Sequence, residues 1–201
     1  KWLKTTSTPR DSIVLASKVC GFNERFTWFR DEPTRVTRQQ VLRSVDDSLS
    51  RLGTDHIDLL QIHWPDRYVP LFGSTRYDAS LEREGSVPFD EQIEVMAELI
   101  EAGKIRAWGL SNETPYGVSE FVRRAEAAGL PPPSSVQNSY SLLQRTDEEG
   151  LVEALRATGV SYLAYSPLSA GVLSNKYAAA SAGGIMAAPP GTLFASLTWR
   201  M

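Results

Sequence analysis

The run Ile57-Asp58-Leu59-Leu60-Gln61-Ile62-His63-Trp64-Pro65 decides how the rest of the chain reads. It is short, dense in Ile and Leu, and closes on a histidine before Trp-Pro. A brief apolar run bounded by breakers is expected to be a strand covered on both faces, as in a parallel sheet. Proline cannot donate to a ladder and biases the residue before it away from helix, so Pro65 ends the strand. His63 then sits at, or just past, a strand's carboxyl end. In sheets of repeated strand–helix units, chemistry gathers at that end.

Working outward, the residues before this strand predict a helix. Thr37 and Gln40 form a Thr-x-x-Gln capping box, Val41, Val45, Leu49 and Leu52 recur at helical spacing, and Gly53 is the stop. Upstream, Ile13-Val14-Leu15-Ala16-Ser17-Lys18-Val19 is a second short apolar run with a lysine near its end, and residues 20–36 read as loop. At the amino end, Trp2 and Leu3 look like the tail of an amphipathic helix. After His63, residues 64–89 hold Pro65, Pro70, Gly73, Gly85 and Pro88 without a sustained period. They are expected to form a long loop insert, with Tyr68, Leu71, Phe72 and Tyr77 giving it an apolar side and Glu82-Arg83-Glu84 as a solvated charge run.

The alternation then continues. Ile93, Met96, Ala97 and Ile100 mark a helix stopped by Gly103, and Ile105 to Asn112 is a strand. Thr114-Pro115 opens a helix lined by Val118, Phe121, Val122 and Ala125. Ser135 to Tyr140 is a weaker strand. Asp147 opens a helix with Leu151, Val152 and Leu155 on one face, and Val160 to Ser166 is a strand stopped by Pro167. Beyond Lys176 the chain is Ala-rich, with Gly183-Gly184 and Pro189-Pro190, and no further unit is legible. Strict alternation argues for parallel strands with right-handed crossovers. Neither GxGxxG nor GxxxxGK[ST] occurs, so a barrel-type sheet fits better than a dinucleotide-binding open sheet. A closed (β/α)8 barrel takes eight strands and typically about 250 residues. With five strands in 201 residues, the expected fold is a single α/β domain over 1–201, an incomplete TIM barrel truncated at both ends. Missing strands would leave exposed sheet edges, and little activity is expected of this polypeptide alone.

Composition narrows the function. With 42% hydrophobic and 22% charged residues the chain is ordinary for a globular protein, and a net charge of −3 lacks the basic surplus of a nucleic-acid binder. No apolar run approaches the roughly 18 residues of a membrane helix. A single cysteine, Cys20, excludes an intramolecular disulfide and suits a reducing compartment such as the cytoplasm. Oligomeric state and organelle leave no mark in the sequence.

The residues at the predicted carboxyl ends are Lys18, His63, Ser111 with Asn112, Gln137 with Asn138, and Tyr165 with Ser166. Parallel neighbouring strands would bring them to one rim, where a lysine, an imidazole, amides and an aromatic ring make a plausible site. Each also has a plainer reading. Lys18 reads equally as a solvated lysine, His63 as a hydrogen-bonded structural histidine, Asn112 and Gln137 as turn caps, and Tyr165 as core filler. Asp58 inside its strand is expected to pair with a local cation, and His56 to lie on the surface.

Four segments together resemble the aldo-keto reductase family, and its Tas-like branch most. They are Ile13 to Lys18, Arg51 to Pro65, Gly103 to Asn112 and Ala164-Tyr165-Ser166-Pro167-Leu168, with the insert after His63 and Ser111-Asn112-Glu113-Thr114-Pro115 pointing to the branch. The resemblance implies a (β/α)8 barrel that binds NADP(H) at its carboxyl-terminal rim and reduces a small-molecule aldehyde or ketone by hydride transfer. It implies that Lys18 and His63 are the lysine and histidine of a catalytic Asp-Tyr-Lys-His tetrad. The aspartate and tyrosine should lie upstream of Lys18, yet residues 1–17 hold no tyrosine, and Asp11 precedes its own strand. That matters because a phenol, with a reference pKa of ~10, is a poor acid until a neighbouring ammonium lowers it. By the same resemblance Ser111, Asn112 and Gln137 would hydrogen-bond the nicotinamide carboxamide, Tyr165 would stack on its ring, and Ser166 and Leu168 would begin the loop along the pyrophosphate. The resemblance implies no metal. Two other readings remain: a non-catalytic dinucleotide-binding relative, like the potassium-channel β subunits or a pseudoenzyme, and a barrel lyase with a Schiff base on Lys18.

Overall fold

The computed structural model describes residues 2–24, 32–71, 74 and 76–174. In chain order the elements are α1 (Trp2–Thr5), β1 (Ala16–Val19), α2 (Arg38–Leu52), β2 (Ile57–Ile62), α3 (Phe89–Glu101), β3 (Ile105–Ser111), α4 (Pro115–Ala127), β4 (Ser135–Ser139), α5 (Leu151–Thr158) and β5 (Ser161–Tyr165). The strands form one sheet in sequential order, and every adjacent pair is parallel. This is the arrangement of an incomplete (β/α)8 barrel, as the alternation predicts.

The helices form where caps and periodicity require. Thr37 accepts from the Gln40 amide at 3.4 Å, and Gly53 closes α2 in the left-handed conformation at φ 69°. The capping box is only half made, because the Gln40 side chain bonds Arg35 N and Pro33 O instead of returning to Thr37. At α4, Thr114 accepts from Gly117 N with Pro115 in the first turn, where its missing N–H costs nothing. The helices press Val41, Val45, Met96, Leu99, Phe121 and Val122 onto one face of the sheet, against Leu60, Ile62, Trp108, Leu110 and Val136. Trp108 and Phe121 meet edge to face at 5.6 Å, and the indole N–H donates to Pro131 O.

Several expectations are corrected in detail. Val152 is 41% exposed; only Leu151 and Leu155 of the predicted α5 face are buried. Arg83 is not part of a solvated run: it donates to Asp66 O and lies over the Phe22 ring at 3.7 Å. The segment 64–89 contains a turn of 3-10 helix, Ala79–Leu81, and is anchored by the buried Asp66, whose carboxylate accepts from Arg35, Val36 N and Val87 N. Tyr68 and Tyr77 pack at 5.3 Å; Phe72 lies outside the described residues, as do Lys176 and all that follows it. His56 is only 14% exposed at its side chain, with Nδ1 against Asp55 and Nε2 buried 3.7 Å from Asp58. Asp58 pairs with Arg10 and Arg106 and accepts from Leu15 N, as expected of a buried strand carboxylate. No described helix is long and apolar enough to cross a membrane.

Candidate active site

The site is built by the register. Lys18 pairs with Gln61, and Gln61 with Gly109, in one row across β1, β2 and β3. One residue past β2, His63 N donates to Val19 O at 2.7 Å, extending the ladder and setting His63 beside the end of β1. The two residues therefore share a rim. Lys18 Nζ donates to Gln61 Oε1 at 3.0 Å. Burial lowers the Lys18 pKa. Burial first, and then the charge of Lys18, push His63 below its ordinary 6.5, so its imidazole is neutral at pH 7. That ring packs against Trp64, with centroids 4.6 Å apart, and its nitrogens have no hydrogen-bond partner among the described residues.

Asn112 ties the next three strand ends together. It adopts the left-handed conformation at φ 53°, which Asn tolerates better than most residues. Its Nδ2 donates to His63 O at 2.8 Å and to Ser111 Oγ at 3.2 Å, and its Oδ1 accepts from the Tyr165 hydroxyl at 2.8 Å. Ser111 Oγ and Asn112 N both donate to Gln137 O. Both ends of the Asn112 amide and the buried Ser111 hydroxyl are thus engaged within the protein. The Gln137 side-chain amide takes no protein partner among the described residues. Tyr165 is half-buried, and burial, followed by the charge of Asp147, raises its pKa. It donates as a neutral phenol. Ser166, at φ 57°, and Leu168, 55% exposed, lie in the turn after β5, where their carbonyls accept from Ser169 N and Gly171 N.

A second layer escaped the sequence reading. Arg67 forms a bidentate pair with the buried Glu113, at 3.0 and 2.6 Å, and donates to Thr114 Oγ1. Asn138 exchanges two bonds with the Glu113 backbone. Together they fix the turn that carries Asn112. Nothing in the sequence announces Arg67–Glu113, since the partners stand 46 residues apart. Gln61 had a weak signal: it lies two residues before His63, on the same strand face. Asp11 pairs with Arg106, the second residue of β3, and so lies toward the amino ends, away from the rim. A recess of about 410 Å³ lined by Val152, Leu155, Arg156, Gly159, Val160 and Tyr162 contains none of the rim residues.

The sequence model for the aldo/keto reductase family matches residues 1–190. The chain belongs to that family. It is 45% identical over 174 residues to an aldo-keto reductase of Babesia bovis, covering 82% of this chain and 61% of that protein. It is 38% identical over 168 residues to the protein Tas of Escherichia coli K12, covering 84% of this chain and 48% of Tas. To the aldo-keto reductase YhdN of Bacillus subtilis it is 35% identical, covering 83% of this chain and 42% of YhdN. This aldo/keto reductase chain spans about half the length of the curated relatives it matches.

Proposed function

We propose that the protein is an NADP(H)-dependent oxidoreductase that reduces small aldehydes or ketones to alcohols. The observation that carries the reading is the shared rim: Lys18 and the neutral His63 at adjacent strand ends, beside the open amide of Gln137 and the ring of Tyr165. These residues fit a nicotinamide. A carboxamide needs both a donor and an acceptor, and the Gln137 amide offers both. The Tyr165 ring, held at its hydroxyl by Asn112, presents a fixed apolar face. Asn112 and Ser111 then act as braces, and the family resemblance would set Ser166 and Leu168 along the pyrophosphate. When bound, the reduced dinucleotide supplies the hydride.

The rim residues of this chain orient the carbonyl and stabilise its charge, while the proton that completes the alcohol must come from a separate acid, which in the family is a tyrosine. Hydride addition builds negative charge on the carbonyl oxygen. A neutral His63 donates a hydrogen bond to that oxygen from one ring nitrogen and orients it. The Lys18 ammonium stabilises the developing charge and lowers the pKa of any hydroxyl acid placed beside it. Substrates are small carbonyl compounds, and a cytoplasmic setting fits the single cysteine.

The test is quenching of tryptophan fluorescence by NADPH, followed by NADPH oxidation with a panel of aldehydes. In the corresponding full-length protein, saturable quenching, carbonyl-dependent oxidation, and a His63→Ala variant that loses turnover while keeping nucleotide affinity are expected, whereas little turnover is expected of the 201-residue polypeptide alone. Absence of saturable quenching would sink the reading. Binding without turnover would instead favour a non-catalytic relative. Burial of Lys18 gives a Schiff-base lyase a specific footing, because desolvation frees the amine. Borohydride trapping of substrate on Lys18 would establish it.

A further inference from the structure

Asp66 and Arg67 are neighbours in the chain, yet they fasten the loop after His63 in opposite directions. Asp66 holds it to the segment before α2, through Arg35 and Val36 N. Arg67 reaches the other way, to the turn after β3. There its guanidinium donates to Glu113 Oε2 at 3.0 Å, to Oε1 at 2.6 Å and to Thr114 Oγ1 at 3.1 Å. It also lies over the rings of Phe89 and Tyr116, 5.2 and 5.7 Å from their centroids. The Glu113 side chain is 2% exposed. Burying a charged pair gains little over an apolar pair of the same size, whereas a two-pronged pair fixes both distance and angle. The first turn of α4 is shaped around this one: a Cβ on Gly117 would run into the Glu113 carboxyl and the Arg67 guanidinium. Glycine inside a helix is unfavourable by itself, so the slot it leaves is explained by the pair.

We propose that Arg67 and Glu113 are positioning residues for the rim: the pair holds the Asn112 turn against the loop that leaves His63, and so keeps the Tyr165 ring in place for its ligand. Arg67 lies four residues after His63, and Glu113 directly follows Asn112. The pair and the 2.8 Å bond from Asn112 Nδ2 to His63 O therefore cross the same gap side by side. From the opposite side, Asn138 holds both Glu113 N and Glu113 O. Asn112 sits at φ 53°, a sparsely populated conformation that persists when its surroundings over-determine it. With the pair broken, Glu113 is held to β4 but no longer to the β2 loop, and the turn is free to draw away from His63 O. The Tyr165 hydroxyl, bonded to Asn112 Oδ1, moves with it. The consequence for a nicotinamide ligand rests on the proposed function; the geometry of the turn does not.

The experiment uses the full-length protein and two variants. Glu113→Gln keeps an oxygen for Thr114 N and loses the charge, and Gly117→Ala pushes both side chains aside without altering either. NADPH affinity is read by tryptophan quenching where each variant is fully folded, and the Asn112 side-chain amide by NMR without nucleotide. Both variants are expected to bind NADPH about tenfold more weakly and to shift the Asn112 amide resonances. A merely structural role would lower the urea midpoint and leave the affinity of the folded protein unchanged. Arg67→Lys, which keeps the charge but not the two-pronged geometry, is expected to recover stability more than affinity. If Glu113→Gln fails to fold, Gly117→Ala decides, since its added methyl favours helix. Where the parent binds NADPH, unchanged affinity in the folded variants would overturn the proposal, as would Asn112 resonances that ignore both substitutions. A parent that binds no NADPH, with Asn112 resonances that still move in the variants, would refute the proposed function and leave the positioning role standing.

Discussion

Replacing Asn112 tests whether one side chain holds three strand ends in place. Its contribution has two separable parts. The first is conformational: at φ 53°, Ala would bear a strain of about 1 kcal/mol that Gly would not. The second is bonding: Nδ2 to His63 O and Tyr165 OH to Oδ1, both at 2.8 Å, are worth about 1 kcal/mol each at half-buried positions. Asn112→Ala should therefore cost about 3 kcal/mol, and Asn112→Gly about 2 kcal/mol. Equilibrium urea unfolding of the parent and both variants gives the two numbers. NADPH titration should show both variants weakened, because the Tyr165 ring loses its tether in each. Equal losses for Ala and Gly would refute the strain argument. Losses below about 0.5 kcal/mol in both would show that water replaces these bonds without net cost.

Asp66→Ala should destabilise by about 3–5 kcal/mol in urea, since it removes a fully buried carboxylate from Arg35 and leaves Val36 N and Val87 N unpaired; a loss near zero would mean that 64–89 is not anchored there. The depressed His63 pKa gives stability that is complete above the unfolded value of 6.5 and is lost as pH falls through the folded value, because the unfolded chain takes the proton first. His63→Gln should flatten that slope of unfolding free energy below pH 6.5, and an unchanged slope would assign it to another group. Gly109→Ala places a Cβ 2.6 Å from Ser135 Oγ and 2.7 Å from Ser135 O, inside the β3–β4 pairing, and should cost about 1–3 kcal/mol in thermal or urea unfolding.

Much of this fold is written locally. Buried strands read as apolar runs because both faces are covered, and Gly53 and Thr114-Pro115 mark helix ends because the cap geometry admits few residue types. The rim followed from one assumption, that neighbouring strands run parallel, which put Lys18, His63, Asn112, Gln137 and Tyr165 at one end. What the sequence could not give was register. Without the Lys18–Gln61 pairing, Gln61 looks like an ordinary interruption in an apolar strand. Arg67 and Glu113 look like two surface charges until the loop and the turn are placed together. Val152 was misread because helical spacing defines a face without saying how wide the covering surface is. At β5, which has one strand neighbour among the described residues, that surface is narrow.

The rim's rigidity and the set of polar groups it leaves open have a common origin in how the ladder ends. A strand that stops leaves backbone acceptors without partners, and burial makes each one costly. Here the neighbouring strand's side chains or amides supply them: Asn112 to His63 O, Ser111 and Asn112 N to Gln137 O, Asn138 to Glu113 O, and Tyr140 N to Tyr165 O. These substitutions carry the sheet's order one residue past its last pairing. They also consume the polar groups that would otherwise compete for a ligand. The groups left uncommitted are those with no acceptor to satisfy, chiefly the His63 imidazole and the Gln137 amide. The engaged amides hold the backbone from which those groups project. Changing an amide that completes the ladder should thus loosen several rim residues together, whereas changing His63 or Gln137 should alter ligand affinity or turnover with little loss of stability.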